Sequence, residues 1–461
     1  MKRTVFLGLG ERRGANSVAA SSRMTNLYAQ QAPTGSTSEV VLLGAAGTRL
    51  FADLGVADGV LGLHLWRDTV YAATENALWA INQNGTVTRV GDMPVSGLAS
   101  MADNGTHLVI VDGVRGHSYD GTTLSQIVDP AFYPADLVRF MDGYLIFNRK
   151  ATGQFFISRQ DSLIFDPTDI TEAESQNDDT LAILNDHREL WIGGETSIEV
   201  YYNSGNVDFP FERVQGAVIE HGIASPHVMA KADNAVYTLS NEGIAYEHRG
   251  YQPVRISTHE IEDQIADRDL STAFAFAWYD RGHSFIQWTV GDDLSVVFDA
   301  VTREWHTRSH IDHSRHHANC YVKAFGKHLV GDFSTGKIYE QSLETYEDAG
   351  RPMVSAVESA PIHANRDRSQ HFSFEARMQM GVGLTSGQGF SPQAMLQFSD
   401  DGGESWSSER WTTIGARGKR KARALWRRLG QSRERRYRLA ISDPVPRAIM
   451  ATGYVEVGQG R

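Results

Sequence analysis

Short apolar β runs recur along the chain at a spacing of 36 to 48 residues, each followed by a second run that carries an aromatic side chain. The first runs are centred on Tyr71, Val109, Leu145, Trp191, Tyr237, Phe285 and Leu329, and the second on Trp79, Tyr119, Phe156, Tyr201, Tyr246, Phe298 and Tyr339. A period of about 40–50 residues built from short strands is typical of a β-propeller with one four-stranded blade per repeat. We therefore predict an all-β, seven-bladed propeller over residues 39–348. Six blades plus a separate hairpin is the alternative.

The sequence also indicates how the ring closes. An outer strand is recognisable in most repeats but is less clear in the third, and the chain after Tyr339 turns acidic and offers no fourth strand. Residues 48–54 form a strand-like segment without a neighbour upstream of the first repeat. Pairing this segment with the Tyr339 strand would remove two open sheet edges at once. This is favourable because an open edge exposes unpaired backbone N–H and C=O groups. We predict that this N-terminal strand closes the propeller.

Two further regions flank the repeats. Residues 1–38 are rich in Ser, Gly and Gln, and we interpret them as an extended arm. Residues 349–461 alternate in strand fashion around residues 372–375, 394–398, 437–441 and 454–457, which indicates a small C-terminal β-sandwich. We expect the arm and the sandwich to join into one platform because both flank the ring closure. A helix capped by Ser257 or Thr258 is predicted between two blades, packed on the ring or lying as a lid over one face.

Composition excludes several function classes. The 461 residues carry a net charge of −12, which argues against a general nucleic-acid coat. Cys320 is the only cysteine, so the chain has no internal disulfide and no CxxC metal or redox site. No stretch approaches the length of about 18 apolar residues that a membrane span needs, and the apolar run near the N-terminus is too short for a signal peptide. We expect a soluble protein made in a cytoplasm, without a cofactor.

The positive charge of the chain is concentrated in one segment. Eleven of the 44 Lys and Arg residues lie between Arg417 and Arg438, opposed only by Glu434, so this segment carries +10 and leaves −22 for the rest. Three interpretations stay open: a contact with an acidic face of another subunit, a solvated strand pair, or a contact with DNA phosphates. The candidate partner or DNA contacts are Arg417, Lys419, Arg420, Lys421, Arg423, Arg427, Arg428, Arg433, Arg435 and Arg436.

Two other motifs resemble catalytic or metal-binding sequences, but their patterns indicate structural roles. Residues 399–406 match the Asp-box pattern of sialidases, in which the aspartate closes a hairpin turn. Five histidines cluster in the connection between two blades: His306, His310, His313, His316 and His317. Two pairs have the i, i+4 spacing of helical metal ligands, but no HExxH signature accompanies them. We interpret the cluster as a solvated loop or a subunit contact, and we predict no catalytic or metal-ligating residues.

Several segments in order resemble the packaged-DNA stabilisation proteins of short-tailed bacteriophages, the tail hub or nozzle family. These are residues 23–28, 44–53, 195–201 with 211–213, 222–224 and Tyr237, the helix at 257–265, and residues 423–430 with their Leu-Trp-Arg-Arg-Leu-Gly strand. Ala45 and Ala46 replace the Thr-Pro of the family's first turn. The resemblance extends over more than 400 residues of the chain, and its specificity lies in the order of the segments.

This resemblance implies a structural role in a virion tail and no enzymatic activity. Family members form a hexameric ring below the portal and adaptor rings, prolong the DNA channel, retain packaged DNA and carry tail fibres or spikes. The partners implied are other copies of the chain, the head-to-tail connector proteins, a tail fibre or tailspike, a tail needle, and double-stranded DNA passing without sequence specificity. Assembly would take place in the host bacterial cytoplasm. The alternative from another class is a propeller that binds or hydrolyses glycans.

Overall fold

The computed structural model describes residues 2–8, 23–32, 39–173, 178–363 and 367–460. Parts of the predicted arm, residues 9–22 and 33–38, lie outside these ranges. The described chain consists of β-strands with one short α-helix, His259–Ile265, and one 3₁₀ turn, Leu270–Thr272. Neither helical segment has the length or apolarity that crossing a membrane requires.

The repeats fold into four-stranded antiparallel meanders, and the first five are separate sheets. In chain order their strands are Gly62–Trp66, Thr69–Ala73, Ala77–Ile81 and Val87–Asp92; Ser100–Asp103, Leu108–Val111, Gly116–Tyr119 and Leu124–Gln126; Val138–Met141, Tyr144–Asn148, Gln154–Ser158 and Phe165–Glu172; Thr180–Asp186, Glu189–Gly194, Ile198–Asn203 and Phe211–Ile219; and Ala230–Ala232, Ala235–Leu239, Ala245–Arg249 and Gln252–Arg255. The third repeat therefore has an outer strand, Phe165–Glu172, which its sequence left unclear because a bulge shifts the register between Phe156 and Ser158.

Two further meanders are parts of larger sheets. Their strands are Phe274–Asp280, His283–Val290, Leu294–Asp299 and Glu304–Arg308; and Ala318–Ala324, Lys327–Asp332 and Lys337–Ser342 with the N-terminal strand Gly47–Asp53. The predicted closure is confirmed, because Tyr339 pairs with Leu50 and Lys337 with Asp53. Two short strands, Glu347–Asp348 and Arg351–Pro352, follow the ring. With the five separate sheets, the described residues form seven four-stranded antiparallel meanders.

Apolar side chains between neighbouring meanders hold the ring together. Buried clusters fill the junctions, from Tyr71 and Ile110 between the first two meanders to Leu329 and Val70 between the last and the first, and one cluster is shared by the fourth, fifth and sixth meanders. A blade buries its faces only against adjacent blades, so these clusters make the repeats one domain. The helix His259–Ile265 is capped by Thr258, one of the two caps predicted, and its two isoleucines pack in one of these clusters. It therefore packs on the ring.

The C-terminal region is a β-sandwich, as predicted. One sheet contains, in spatial order, Leu27–Gln31, Val40–Gly44, Ala448–Gln459, Ser369–Met378 and Ala424–Arg427, with Lys2–Phe6 on Ala448–Gln459 and Gln431–Ser432 on Ser369–Met378. The facing strands are Met24–Thr25, Ser355–Glu358, Glu434–Ile441, Gln393–Ser399 and Arg410–Thr413, with Ile362–His363 on Glu434–Ile441. Leu42, Phe374 and Trp426 pack with Leu396 and Tyr437 in one apolar core.

The N-terminal strands lie within this sandwich. Lys2–Phe6 and Val40–Gly44 both pair with Ala448–Gln459. Met24–Thr25 pairs in parallel with Glu304–Arg308 of the propeller and antiparallel with Ser355–Glu358. One sheet therefore runs without a break from the propeller into the sandwich. The predicted division at residues 38 and 348 stays a prediction.

Candidate functional site

The basic segment folds as a loop followed by three strands of the sandwich, Ala424–Arg427, Gln431–Ser432 and the first part of Glu434–Ile441. Arg417, Lys419, Arg420 and Lys421 lie in the loop between Arg410–Thr413 and Ala424–Arg427, which we call the basic loop (residues 417–421). The loop is held by backbone hydrogen bonds, including Gly418 N to Gly381 O at 3.1 Å and Gly381 N to Ile414 O at 2.9 Å. Its four cationic side chains are exposed. Among the described residues, none of them has a carboxylate within 4.0 Å.

At the start of the following strand, Arg423 is paired with a carboxylate. Arg423 makes two hydrogen bonds to Glu375, at 2.8 and 2.7 Å. Arg423, Arg427 and Lys2 line a shallow pocket of about 250 Å³ together with Glu375 and Glu456. This outer sheet face is therefore mixed in charge, and the unopposed positive charge is concentrated in the basic loop. Arg427, Arg428 and Arg433 are exposed as well.

Arg435 does not belong to an accessible surface, which corrects its prediction as a contact residue. Its side chain is 1% exposed. Its guanidinium donates to both carboxylate oxygens of Asp400, at 2.6 and 2.7 Å, and lies 3.9 Å from the ring centre of Phe398. A planar guanidinium matches a carboxylate in this two-bond geometry, and burial makes the loss of either partner costly. Arg435 is therefore a structural residue of the sandwich.

Arg436 is also buried, which corrects its prediction in the same way. It pairs with Ser399 across the strand, beside the hairpin that carries the Asp-box sequence. In that hairpin Ser399 donates to Asp401 at 2.6 Å, and Asp401 accepts from the amide of Ser405 at 3.0 Å. Hydrogen bonds from Ser399 and Ser405 lower the pKa of Asp401. These contacts close a turn and offer no support for glycan hydrolysis.

The histidine cluster is for the most part buried, so its interpretation as a solvated loop or subunit contact is wrong for three of its members. His306, His316 and His317 are 4%, 0% and 2% exposed. His310 is half-buried, and His313 is exposed. The sequence could not indicate the burial of His317, because two of its partners, Thr48 and Asp348, come from the N-terminal strand and from the segment after the ring.

The centre of the cluster is the carboxylate of Asp348. Its Oδ1 accepts from the hydroxyl of Thr48 at 2.5 Å and lies 3.0 Å from Nε2 of His317. Burial by itself would lower the pKa of His317, but the carboxylates of Asp348 and Asp332 outweigh it and raise this pKa to about 9. The pKa of Asp348 is held well below its usual value, because His317 and His316 outweigh the effect of burial. His317 is therefore an imidazolium between two carboxylates.

A metal ion would have to compete with a cation at this point. His316, His317 and Asp348 have ligand atoms within 4.8 Å of one another. However, Nη2 of Arg308 lies 2.9 Å from Nε2 of His316, where it uses the lone pair that would bind a metal. Burial and this guanidinium lower the pKa of His316 to about 3. With Arg308 and His317 positive and Asp332 and Asp348 negative, the charges balance internally. We call Thr48, Arg308, His316, His317, Asp332 and Asp348 the closure node.

Comparison with protein-family models gives two matches that together span most of the chain. The model described as the β-propeller of bacteriophage P22 Gp10 matches residues 7–346. The model described as the β-sandwich of the same protein matches residues 359–457. Both matches agree with the architecture: a propeller first and a sandwich after it. Comparison with curated proteins gives no match.

Three solved structures match part of this chain at low sequence identity. The computationally designed protein Ika8 is 13% identical, with 69% of this chain and 99% of that chain covered and a TM-score of 0.41. BamB from Moraxella catarrhalis is 10% identical, with 70% and 96% covered and a TM-score of 0.39. BBS1N, solved in complex with ARL6DN, is 9% identical, with 65% and 95% covered and a TM-score of 0.43.

Proposed function

The chain belongs to the family of bacteriophage P22 Gp10, and we propose from this that it forms a ring that prolongs the DNA channel of a short phage tail. As a member of that family it is a structural component of a virion tail, and the family is one of structural proteins rather than enzymes. The proposed ring would lie below the portal and adaptor, retain packaged DNA and carry tail fibres or spikes.

The continuous sheet between the two domains is the observation that carries this proposal. Glu304–Arg308 of the propeller, Met24–Thr25 and Ser355–Glu358 of the sandwich are neighbours in one sheet. Backbone hydrogen bonds across the domain junction resist hinge motion, and we propose that the subunit behaves as one rigid body. A head-to-tail contact between rigid subunits forms a closed ring when its rotation divides the full circle, and six copies require 60°.

The uneven distribution of charge along the chain supports different roles for different surfaces. Without residues 417–438 the chain carries −22, which would make a channel wall that repels phosphates weakly and lets DNA slide without sequence specificity. We propose that the basic loop contacts protein, namely an acidic surface of the adaptor or of a neighbouring copy. Electrostatic complementarity of this kind increases association rates and selects partners. Assembly would occur in the host bacterial cytoplasm, before a fibre, spike or needle is added.

Solution mass and electron microscopy test the ring. We expect the purified chain, alone or with its connector proteins, to form closed rings, and a monomer that never binds connectors would contradict the proposal. Neutralising the basic loop (R417Q, K419Q, R420Q and K421Q together) should weaken connector binding by at least tenfold and make it less dependent on salt. The matched control removes four exposed charges elsewhere: R49Q, R188Q, K231Q and K323Q.

The channel-wall proposal needs a separate measurement. Once ring images identify the acidic residues that face the lumen, reversing their charge should slow DNA ejection, because phosphates would then bind the wall. An unchanged ejection rate would contradict the wall proposal and leave the ring proposal intact.

A further inference from the structure

A cavity of about 200 Å³ lies on the propeller axis. It is lined by residues at the beginnings of the innermost strands, from six of the seven meanders. Apolar side chains such as Met101, Met229 and Phe276 contribute to the lining, but the surface exposed to the cavity is mainly polar. Arg139 and His227 also line it. A volume of this size holds several water molecules, or one small ion with its remaining water.

The guanidinium of Arg139 reaches this cavity without a counter-charge. Its Nη1 donates to the hydroxyl of Ser100 at 3.0 Å and to the carbonyl oxygen of Val138 at 2.8 Å, which fixes the group in place. Within the described ranges, its Nε and Nη2 make no hydrogen bond and no carboxylate lies within 4.0 Å of it. The acidic group that influences neighbouring His227 is Asp136, which is bound by Lys150 at 3.1 Å.

The side chain of Arg139 is half-buried and lines the cavity. An arginine does not lose its proton in proteins, so the guanidinium brings a fixed positive charge to the cavity that a bound anion would neutralise. Burial lowers the pKa of Arg139 to about 10, and no acid opposes that effect. Burial and the charge of Arg139 lower the pKa of His227 to about 4. At neutral pH the histidine is therefore uncharged and still provides one N–H donor.

We infer that Arg139 and His227 bind a small oxyanion, such as inorganic phosphate or a simple carboxylate, on the propeller axis. The free edge of the guanidinium provides the two parallel donors that an oxyanion accepts. The bound anion would link the third meander, through Arg139, to the fifth and sixth, because the backbone carbonyl of His227 accepts from Ala275 at 2.7 Å. The site would thus stabilise the centre of the ring.

Crystals of the full chain soaked in selenate test the site directly. The expected result is an anomalous peak within hydrogen-bond distance of Arg139. A cavity without such a peak would overturn the inference. This measurement uses the unmodified protein, so it does not depend on whether a variant folds.

Thermal unfolding at constant ionic strength tests the same site in solution. Inorganic phosphate at about 100 times its dissociation constant should raise Tm by about 5 °C. R139Q should weaken phosphate binding by about 10- to 100-fold, whereas R149Q, a half-buried arginine on the same meander that does not line the cavity, should respond like the wild type. An equal effect of acetate would identify any small carboxylate as a ligand, and no effect of acetate would restrict the site to phosphate-like oxyanions. Equal phosphate responses of the wild type and R139Q would overturn the inference.

Discussion

The Nε2 atom of His317 lies 3.0 Å from Oδ1 of Asp348, and both side chains are buried. The same carboxylate accepts from Thr48, which belongs to the strand that closes the propeller. Asp348 lies in the segment that leaves the ring toward the sandwich. This ion pair therefore ties the entry of the ring to its exit, and the integrity of the ring should depend on it.

Removing the charge of Asp348 should destabilise the propeller strongly. D348N leaves the buried imidazolium of His317 without its closest counter-ion, and breaking a buried pair in this way costs about 3–5 kcal/mol. Denaturant unfolding measures the change. The control is E344Q, an exposed acid four residues earlier that pairs with Arg281 at the surface and should cost less than about 1 kcal/mol. Equal effects of both variants would contradict the role of the closure node.

Stability should fall as the pH rises above neutrality. The pKa of His317 is about 6.5 in the unfolded chain and about 9 in the folded protein, so its stabilising effect is complete below pH 6.5 and is lost between pH 6.5 and 9. Thermal unfolding across this range should give a falling Tm. H317Q should remove that part of the dependence, whereas H313Q, which changes an exposed histidine of the same cluster, should keep it.

Acid should also destabilise the protein, through histidines whose pKa is lowered by folding rather than raised. Burial lowers the pKa of His306, His316 and His248 to about 3 in the folded protein, so these histidines bind protons only on unfolding as the pH falls below 6.5. Together with the behaviour of His317, this predicts a stability maximum near pH 6.5. A Tm that is constant between pH 4 and 6.5 would contradict the burial of these side chains.

The pair of Arg435 and Asp400 should be worth more to the sandwich than the surface arginines around it. R435Q removes the buried guanidinium, leaves the carbonyl oxygens of Leu429 and Gln431 without its hydrogen bonds and uncovers the Phe398 ring. Because Asp400 itself is 42% exposed, we expect a loss of about 2 kcal/mol. R433Q, two residues earlier and exposed, should stay within about 0.5 kcal/mol of the wild type. A double-mutant cycle with D400N checks that the difference comes from the pair.

Closure of the ring should also depend on the absence of a side chain at Gly47. A Cβ at this position would lie 2.3 Å from the carbonyl oxygen of Glu347 and 2.5 Å from that of Thr345, and backbone atoms cannot move aside cheaply. G47A should therefore separate the closing strand from the segment that leaves the ring and increase its hydrogen exchange. G44A is the matched control, because its Cβ would meet Tyr346 at an ordinary 3.6 Å.

The sequence by itself determined the propeller, its closing strand and the sandwich. Each of these follows from local pattern: strands alternate, turns separate them, and the repeat of about 40–50 residues marks the blades, with six or seven left open. The pairing of Gly47–Asp53 with Lys337–Ser342 was also predictable, because an unpaired strand and an unfilled edge need each other.

Tertiary structure alone decided which charged residues are buried. The run around Arg435 and the cluster around His317 look like polar surface in sequence, since their counter-charges are distant along the chain. Asp400 precedes Arg435 by 35 residues, and Asp348 follows His317 by 31. In the sequence, Arg139 is recognisable only as a charged residue near the start of an innermost strand. Whether a charge is buried depends on the residues that fold around it, and the local sequence pattern does not contain that information.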